Sequence, residues 1–326
     1  MGKHKIKKLP FISICTPTFN RRPFIPFMIK CFDHQDYPKD RLEWIIIDDG
    51  TDPIKDLIQD IPQVKYFYFP DKLSLGKKRN LMHQKASGDI LVYMDDDDYY
   101  PPCRISHAVE TLLANKNALC AGSSEMYFYF KHIDKMYQIG PYGYNHATAA
   151  TFAFKKELLN QTNYEDEACL AEEKKFLKDY TIPFVQLDPL KTIIVFSHNH
   201  NTFDKKKLLT PNNKFVKESN IKLTDIIIDY DFIKFFTSDI DNELEKYTPG
   251  NIENKKDCLI QLSQMNEKLN EQKILYLQNI INDLNKKFEE NVNYISGLIK
   301  ENNKLKENNE YLNKKISELI LRLTNK

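Results

Sequence analysis

The sequence predicts an α/β domain built on a mostly parallel central sheet, followed by a long C-terminal coiled-coil helix. Three observations carry that prediction. Short β-branched or aromatic runs alternate with amphipathic stretches up to about residue 200. Polar clusters follow several of those runs directly, and from about residue 274 an apolar repeat of seven residues takes over.

The predicted strands, in order, are FISICT (11–16), EWIIID (43–48), VKYFYF (64–69), DILVYM (89–94), EMYFYF (125–130), TFAF (151–154) and KTIIVFS (191–197). Amphipathic helices are expected around 23–34, 74–87, 102–115 and 168–179, the third opened by Pro102, where a missing N–H costs nothing. Strand, helix and strand in repetition is the pattern of a parallel sheet covered on both faces. In such a sheet a ligand sits beyond the carboxyl ends of the strands. Residues 203–250 mix Lys-rich and aromatic stretches such as DIIIDYDFIKFF and are expected to be helical, packed on the preceding domain, with Pro249-Gly250 as a hinge. The organisation read from this is a domain over 1–205, a helical extension over 206–250 and a coiled-coil segment over 251–326.

In the last segment Leu277, Leu284, Asn291, Leu298, Leu305, Leu312 and Leu319 recur every seven residues, and Ile281, Phe288, Ile295, Asn302, Asn309, Ile316 and Leu323 follow four later. This is an a/d heptad pattern, and at 1.5 Å per residue it spans roughly 75 Å. A solitary helix would leave its leucine stripe in water, so self-association is expected. Asn302 and Asn309 at a, with Asn291 at d, can pair with themselves and fix the register of a small parallel homo-oligomer.

Composition excludes several classes. The 326 residues carry 47 basic and 46 acidic side chains, a net charge of +1, which argues against a general nucleic-acid binder. Cysteines 15, 31, 103, 120, 169 and 258 form no CxxC pair and no His/Cys zinc spacing, and they read as reduced, mostly core thiols. The basic start MGKHKIKKLP precedes too short an apolar run for a signal sequence. No run reaches the about 18 apolar residues of a membrane span, so a cytoplasmic location is the expectation.

Three polar clusters fall at predicted strand ends: CTPTFNRR after the first, DDGTD after the second and DDDD after DILVYM. Parallel topology would bring them to one edge as a shared site. The four aspartates are flanked by a strand and by the stiff, bulky Tyr99, Tyr100, Pro101 and Pro102, so they are held rather than floating. Held carboxylates at close range suit a hard divalent cation, Mn²⁺ or Mg²⁺, which is bound by one or two carboxylates together with phosphate oxygens. A DxDx[TV] phosphatase is excluded by Tyr99 in the Thr/Val position, and the nine glycines form neither a dinucleotide fingerprint nor a P-loop.

The ordered set ISICTPTFNR (12–21), IIIDDGTD (45–52), LGKKRN (75–80), GDILVYMDDDDYYPPCRI (88–105), AEEKKFL (171–177) and a late His198 resembles the inverting family-two glycosyltransferases of GT-A fold over about residues 10–200. The resemblance implies a Rossmann-like half that binds a nucleotide sugar, an acceptor half, and sugar transfer from a nucleotide diphosphate. By motif, Thr16, Pro17 and Phe19 fall in the loop that touches the nucleotide. Asp48 takes the place of the acid that hydrogen-bonds the base, a role that suits the N–H of uracil and so favours UDP. Gly76, Lys77, Arg79 and Asn80 match the GxxRN element, whose arginine lies near the donor, with a solvated helix start as the other reading of Lys77. Asp97 becomes the leading metal ligand, joined by Asp95, with Asp95 or Asp96 toward the ribose. The family's small residue between them is here Asp96.

For the base that takes the acceptor proton, Glu173 falls in the family's position beside Glu172, and Glu165-Asp166 is the alternative. All four acids equally suit the start of a helix. His198, ahead of His200, matches a late histidine that binds metal or diphosphate in some relatives. His146 lies in the acceptor-side segment or serves as a hydrogen-bonded structural residue. The expectation is a metal-dependent inverting transferase using Mn²⁺ or Mg²⁺, with a non-catalytic nucleotide-sugar-binding coiled-coil scaffold as the alternative. The sugar, and whether the acceptor is a glycan, protein or lipid, are set by loops without a transferable motif.

Overall fold

The computed structural model describes residues 9–170, 172–210 and 213–324. In chain order its elements are β1 (Ile12–Thr18), α1 (Ile25–Asp33), β2 (Leu42–Asp48), α2 (Lys55–Ile58), β3 (Val64–Tyr68), α3 (Leu75–Lys85), β4 (Ile90–Tyr93), α4 (Arg104–Ala114), β5 (Cys120–Gly122), β6 (Met126–Phe130), β7 (Lys135–Ile139) and β8 (Ala153–Lys155). These are followed by α5 (Glu173–Phe176), β9 (Phe184–Gln186), β10 (Ile194–Ser197), β11 (Val216–Ser219), α6 (Tyr230–Lys234), α7 (Ile240–Lys246) and α8 (Lys256–Thr324).

A seven-stranded sheet runs β3-β2-β1-β4-β8-β5-β9. β1 lies at its centre, parallel to β2 from Ile12↔Leu42 to Thr18↔Asp48 and parallel to β4 from Ile12↔Ile90 to Cys15↔Tyr93. Only β8 opposes its neighbours β4 and β5. The continuous apolar character of WIII and ILVY follows from burial on both faces. Ile12, Ile14, Trp44, Ile46 and Val92 point to the side covered by α1 and α4, whereas Cys15, Ile45, Ile47, Leu91 and Tyr93 point to the side covered by α3.

The structure departs from the predicted single sheet in one main respect. β6 and β10, both predicted as strands, belong to a second, four-stranded sheet of order β10-β6-β7-β11. The backbones of Tyr99 and Ile194 bond each other in both directions, at 3.0 and 2.9 Å, and so link β10 to the segment after β4. β5, β7, β9 and β11 were not foreseen, because each is short or carries polar residues without clean alternation. The predicted helix over 168–179 shrinks to α5, since Lys178, Asp179 and Tyr180 take positive φ of 48°, 54° and 63°. The third predicted helix begins at Arg104 rather than Pro102.

Residues 203–250 contain the strand β11 as well as helix, so the helical expectation holds only in part. α6 and α7 are joined by a wide turn over Phe235–Asp239. Their aromatic face packs on the first helix, with Phe27 stacked on Phe235 at 4.1 Å and Phe196 on Phe236 at 4.0 Å between ring centroids. Gly250, expected at a hinge, is buried, and a Cβ there would lie 2.5 Å from His200 Nδ1.

The chain divides into two compact units, the first ending at Leu262 and the second starting at Ser263. The second unit is helical, and its heptad residues, including Leu277, Leu284, Leu298 and Leu312, are exposed in the single chain. Among the described residues no helix is long and apolar enough to cross a membrane.

Candidate active site

Four strand ends supply the site. β1 leads into Phe19, Asn20 and Arg21, β2 into Asp49, β4 into the four aspartates, and β10 into His198. Three of these belong to the large sheet and the fourth arrives through the Tyr99–Ile194 bridge. Arg21 is the hub: its Nη2 lies 3.2 Å from Asp97 Oδ2, its Nε 3.5 Å from Asp96 Oδ1, and its Nη1 donates to the carbonyl of His200 at 2.9 Å. The guanidinium is buried, so it supplies charge to the aspartates in a low-dielectric setting.

The aspartate run is held rigidly. Asp95 N–H donates to the Tyr100 hydroxyl at 2.7 Å, and the fully buried Arg104 donates from Nη2 to the carbonyls of Thr151 and Phe152 at 2.8 and 2.9 Å, clamping the end of β4 against the segment before β8. Burial pushes Asp95 upward, Asp96 to about 7 and Asp98 to about 8. Burial would push Asp97 up as well, but Arg21 and His198 outweigh it and hold that carboxyl well below the usual range. One carboxylate is thus firmly ionised while three are driven toward their protonated forms, which is what a compensating positive charge would reverse.

His198 lies beside Asp97, its Nε2 3.1 Å from Asp97 Oδ2 and 2.8 Å from Asn201 Nδ2. Burial lowers its pKa to about 3, so the imidazole is neutral and can act as a ligand. Asp95 Oδ1 is buried without a hydrogen-bond partner among the described residues. Asp97 and His198 thus place an ionised carboxylate beside a neutral imidazole, residue types that fit Mn²⁺ or Mg²⁺, and Asp95 adds a buried, unpartnered carboxylate oxygen in the same run.

The other predicted residues divide. Phe19 lines a cleft of about 630 Å³, shared with Asn20, Asp49, Lys72 and the segment around Pro249 and Asn254. Thr16 does not reach a ligand through its side chain: it is fully buried, donating to Met94 O at 2.6 Å and accepting from Trp44 Nε1 at 2.9 Å. Pro17 is partly buried beside it. Asp48 is likewise occupied by its own loop, accepting from Gly50 N at 2.9 Å, Ile54 N at 3.1 Å and the Tyr66 hydroxyl at 2.7 Å. Its neighbour Asp49 faces the cleft instead, paired with Lys78 Nζ at 2.8 Å. Lys77 is exposed, and Lys78 takes the inward place, reaching Thr18 O at 3.1 Å.

Arg79 is buried between Tyr93 and Tyr164 and donates from Nε to Glu172 Oε1 at 3.0 Å. Glu173, partly buried and beside Glu172, is raised to about 7, first by desolvation and then by that neighbouring charge. The alternative pair is engaged elsewhere: Asp166 accepts from Asn80 Nδ2 at 2.7 Å and Glu165 pairs with Lys175 at 3.0 Å. His146 is half-buried between Tyr142 and Tyr180 and 3.5 Å from Ser124 Oγ. His200 contributes its backbone carbonyl to Arg21.

Sequence reasoning did not assign Arg21, Asp49, Lys78, Asn201, Lys205 or Lys255. Helical spacing could have found Lys78, since Lys78, Arg79 and Met82 share the buried face of α3 and Lys77 does not. Lys205, 3.9 Å from Asp98, and the buried Lys255, which donates to Thr202 Oγ1 at 3.0 Å, carry no local signal.

A family model described as Glycosyl transferase family 2 matches residues 13–179, from the start of β1 to just beyond α5. The chain belongs to this family. Its α/β domain with a mixed sheet is accordingly GT-A-like, as the resemblance implied. Over 116 residues the chain is 34% identical to a GalNAc(5)-diNAcBac-PP-undecaprenol beta-1,3-glucosyltransferase of Campylobacter jejuni, covering 33% of this chain and 35% of that protein. It is 29% identical over 120 residues to an uncharacterized glycosyltransferase of Haemophilus influenzae, covering 35% of this chain and 47% of that protein. The chain therefore spans less than half the length of these curated relatives. Among solved structures, that of residues 1–349 of TarS from S. aureus with UDP is similar at 19% identity and a TM-score of 0.47, covering 58% of this chain and 61% of that one. A mannosyltransferase from Pyrobaculum calidifontis in complex with GDP-Man and Mn²⁺ is similar at 18% identity and the same TM-score of 0.47, covering 58% and 57%.

Proposed function

We propose that this family member is a metal-dependent inverting glycosyltransferase that moves a sugar from a nucleotide diphosphate donor, UDP before other nucleotides, to an acceptor hydroxyl. The observation that carries the reading is the contact between ionised Asp97 and neutral His198, with the unpartnered Asp95 Oδ1 in the same aspartate run. Asp97, His198 and Asp95 would hold Mn²⁺ or Mg²⁺, which supplies Lewis-acid stabilisation to a departing diphosphate. Phe19 and Asp49 line the cleft for the nucleoside, and Asp49, although buried and held by Lys78 Nζ and the Leu73 N–H, is the aspartate of the pair that borders it, whereas Asp48 is turned into its own loop. The N–H of the donor's uracil would donate to the Asp49 carboxylate.

Glu173 is the base in this reading. With a pKa of about 7 it can be ionised at neutral pH yet still bind a proton, the condition a general base needs. The acceptor hydroxyl gives its proton to Glu173, its oxygen forms the bond to the anomeric carbon, and the bond to the nucleoside diphosphate breaks on the opposite face. Glu172 and Arg79 position that segment from within the core. The exposed heptad face of α8 supports assembly of a homo-oligomer. A thermal-shift screen of nucleoside diphosphates with and without Mn²⁺ tests the donor assignment. The reading predicts that UDP raises the melting temperature only when metal is present, and a metal-independent or absent UDP shift would contradict it.

A further inference from the structure

A second donor cluster lies apart from the aspartates. Cys169, from the loop before α5, meets Asp257 and Cys258, from the first turn of α8, and one ligand atom from each lies within 4.8 Å of the other two. Both thiols are buried, Cys169 Sγ is 3.1 Å from Asp257 Oδ2, and the Asp257 side chain is one-third exposed at 33%, which leaves an entry path from solvent. The sequence offered no zinc spacing because the two cysteines lie far apart in the chain, one before α5 and one at the start of α8.

We propose that Cys169, Cys258 and Asp257 form a zinc site. Tetrahedral zinc with bonds of about 2.0–2.3 Å sets its ligand atoms roughly 3.3–3.8 Å apart, so a cluster within 4.8 Å needs to close by at most about 1.5 Å. Two thiolates and one carboxylate around Zn²⁺ leave a single net negative charge. Lys72 supplies its counterpart, with Nζ 2.6 Å from both Asp257 oxygens. The surrounding bonds hold the ligands in place: Cys169 N–H donates to Gln261 Oε1 at 3.0 Å, and Gln261 Nε2 donates to Glu167 O at 2.7 Å. Three protein ligands leave a fourth position for water. Binding releases the thiol protons and fastens the loop that leads into Glu172 and Glu173 to the start of α8.

The test uses the full chain, reduced, freed of metal, and titrated with Co²⁺. One equivalent should produce an intense near-ultraviolet thiolate-to-cobalt absorption that Zn²⁺ abolishes by displacement. Cys169→Ser and Cys258→Ser should each remove that band, and Asp257→Asn should keep it while weakening binding about tenfold. Asp97→Asn should leave the band intact, which separates this site from the aspartates. The proposal is overturned if the wild-type chain, with its six cysteines shown to be reduced, gives no thiolate band, or if the band survives in both serine variants. Isolation of the chain with Cys169 and Cys258 joined in a disulfide that persists in reductant would overturn it equally.

Discussion

Replacing Glu173 with glutamine isolates proton transfer from everything else the site does. The side chain keeps its size, and the pair between Arg79 and Glu172 is untouched. Burial and the adjacent Glu172 raise Glu173 to about 7, so it is about half ionised at pH 7 and about one-tenth ionised at pH 6. The transfer rate of the wild-type chain should therefore rise about eightfold between pH 5.5 and 6.5, and level off above about 8. The linked effect on stability has the opposite sign. Because the folded-state value lies above the unfolded one, the stability contributed by this group is full at acid pH and is lost as pH climbs through about 7. Removing the base should cost about 10²- to 10⁴-fold in kcat with little change in donor KM, and Glu173→Asp should keep part of the activity. The assay is release of nucleoside diphosphate from the donor selected by thermal shift, measured from pH 5.5 to 8.5. A flat wild-type profile, or a glutamine variant retaining more than about one-tenth of the rate, would refute Glu173 as the base.

Three further outcomes follow from the same contacts. Arg79→Met leaves Glu172 buried and unpaired and should destabilise the chain by about 3–5 kcal/mol, read from urea midpoints, with Glu172→Gln in the same background recovering much of the loss. Asp48→Ala removes the acceptor of three loop hydrogen bonds and should lower the melting temperature while sparing UDP affinity, whereas Asp49→Asn, which breaks a buried pair with Lys78, should lower both, as calorimetry with and without UDP reads. Ending the chain at Leu262 should convert a small oligomer to a monomer in light scattering, and a full-length monomer would contradict self-association through α8.

The central strands were legible because EWIIID and DILVYM are buried on both faces and so read as unbroken apolar runs. Their carboxyl ends then placed the aspartates correctly at the sheet edge. What escaped was set by tertiary context. β5 and β9 have three residues each, too few for any period to show, and they exist because β8 pairs with β5 and β5 with β9 at the edge of the large sheet. Within the site, adjacent residues of one type differ in where they turn: Asp48 is held by its own loop while Asp49 lines the cleft, and Lys77 is exposed while Lys78 is buried. A motif aligned by residue type does not say which side chain turns inward. Hydrogen bonds to Gly50, Ile54 and Tyr66 decide the first case and the buried face of α3 decides the second. Arg21 stood in the quoted FNRR run, but its role depends on Asn20 turning the chain at φ 52°, which periodicity does not reveal.

The central claim is that the aspartates grip a divalent ion together with the nucleotide, and Mn²⁺ electron paramagnetic resonance titration with and without UDP measures it most directly. The account predicts one Mn²⁺ bound far more tightly in the presence of UDP, with that binding lost in Asp97→Asn and weakened in His198→Ala. Equal Mn²⁺ binding by wild type and Asp97→Asn, or affinity indifferent to UDP, would contradict it.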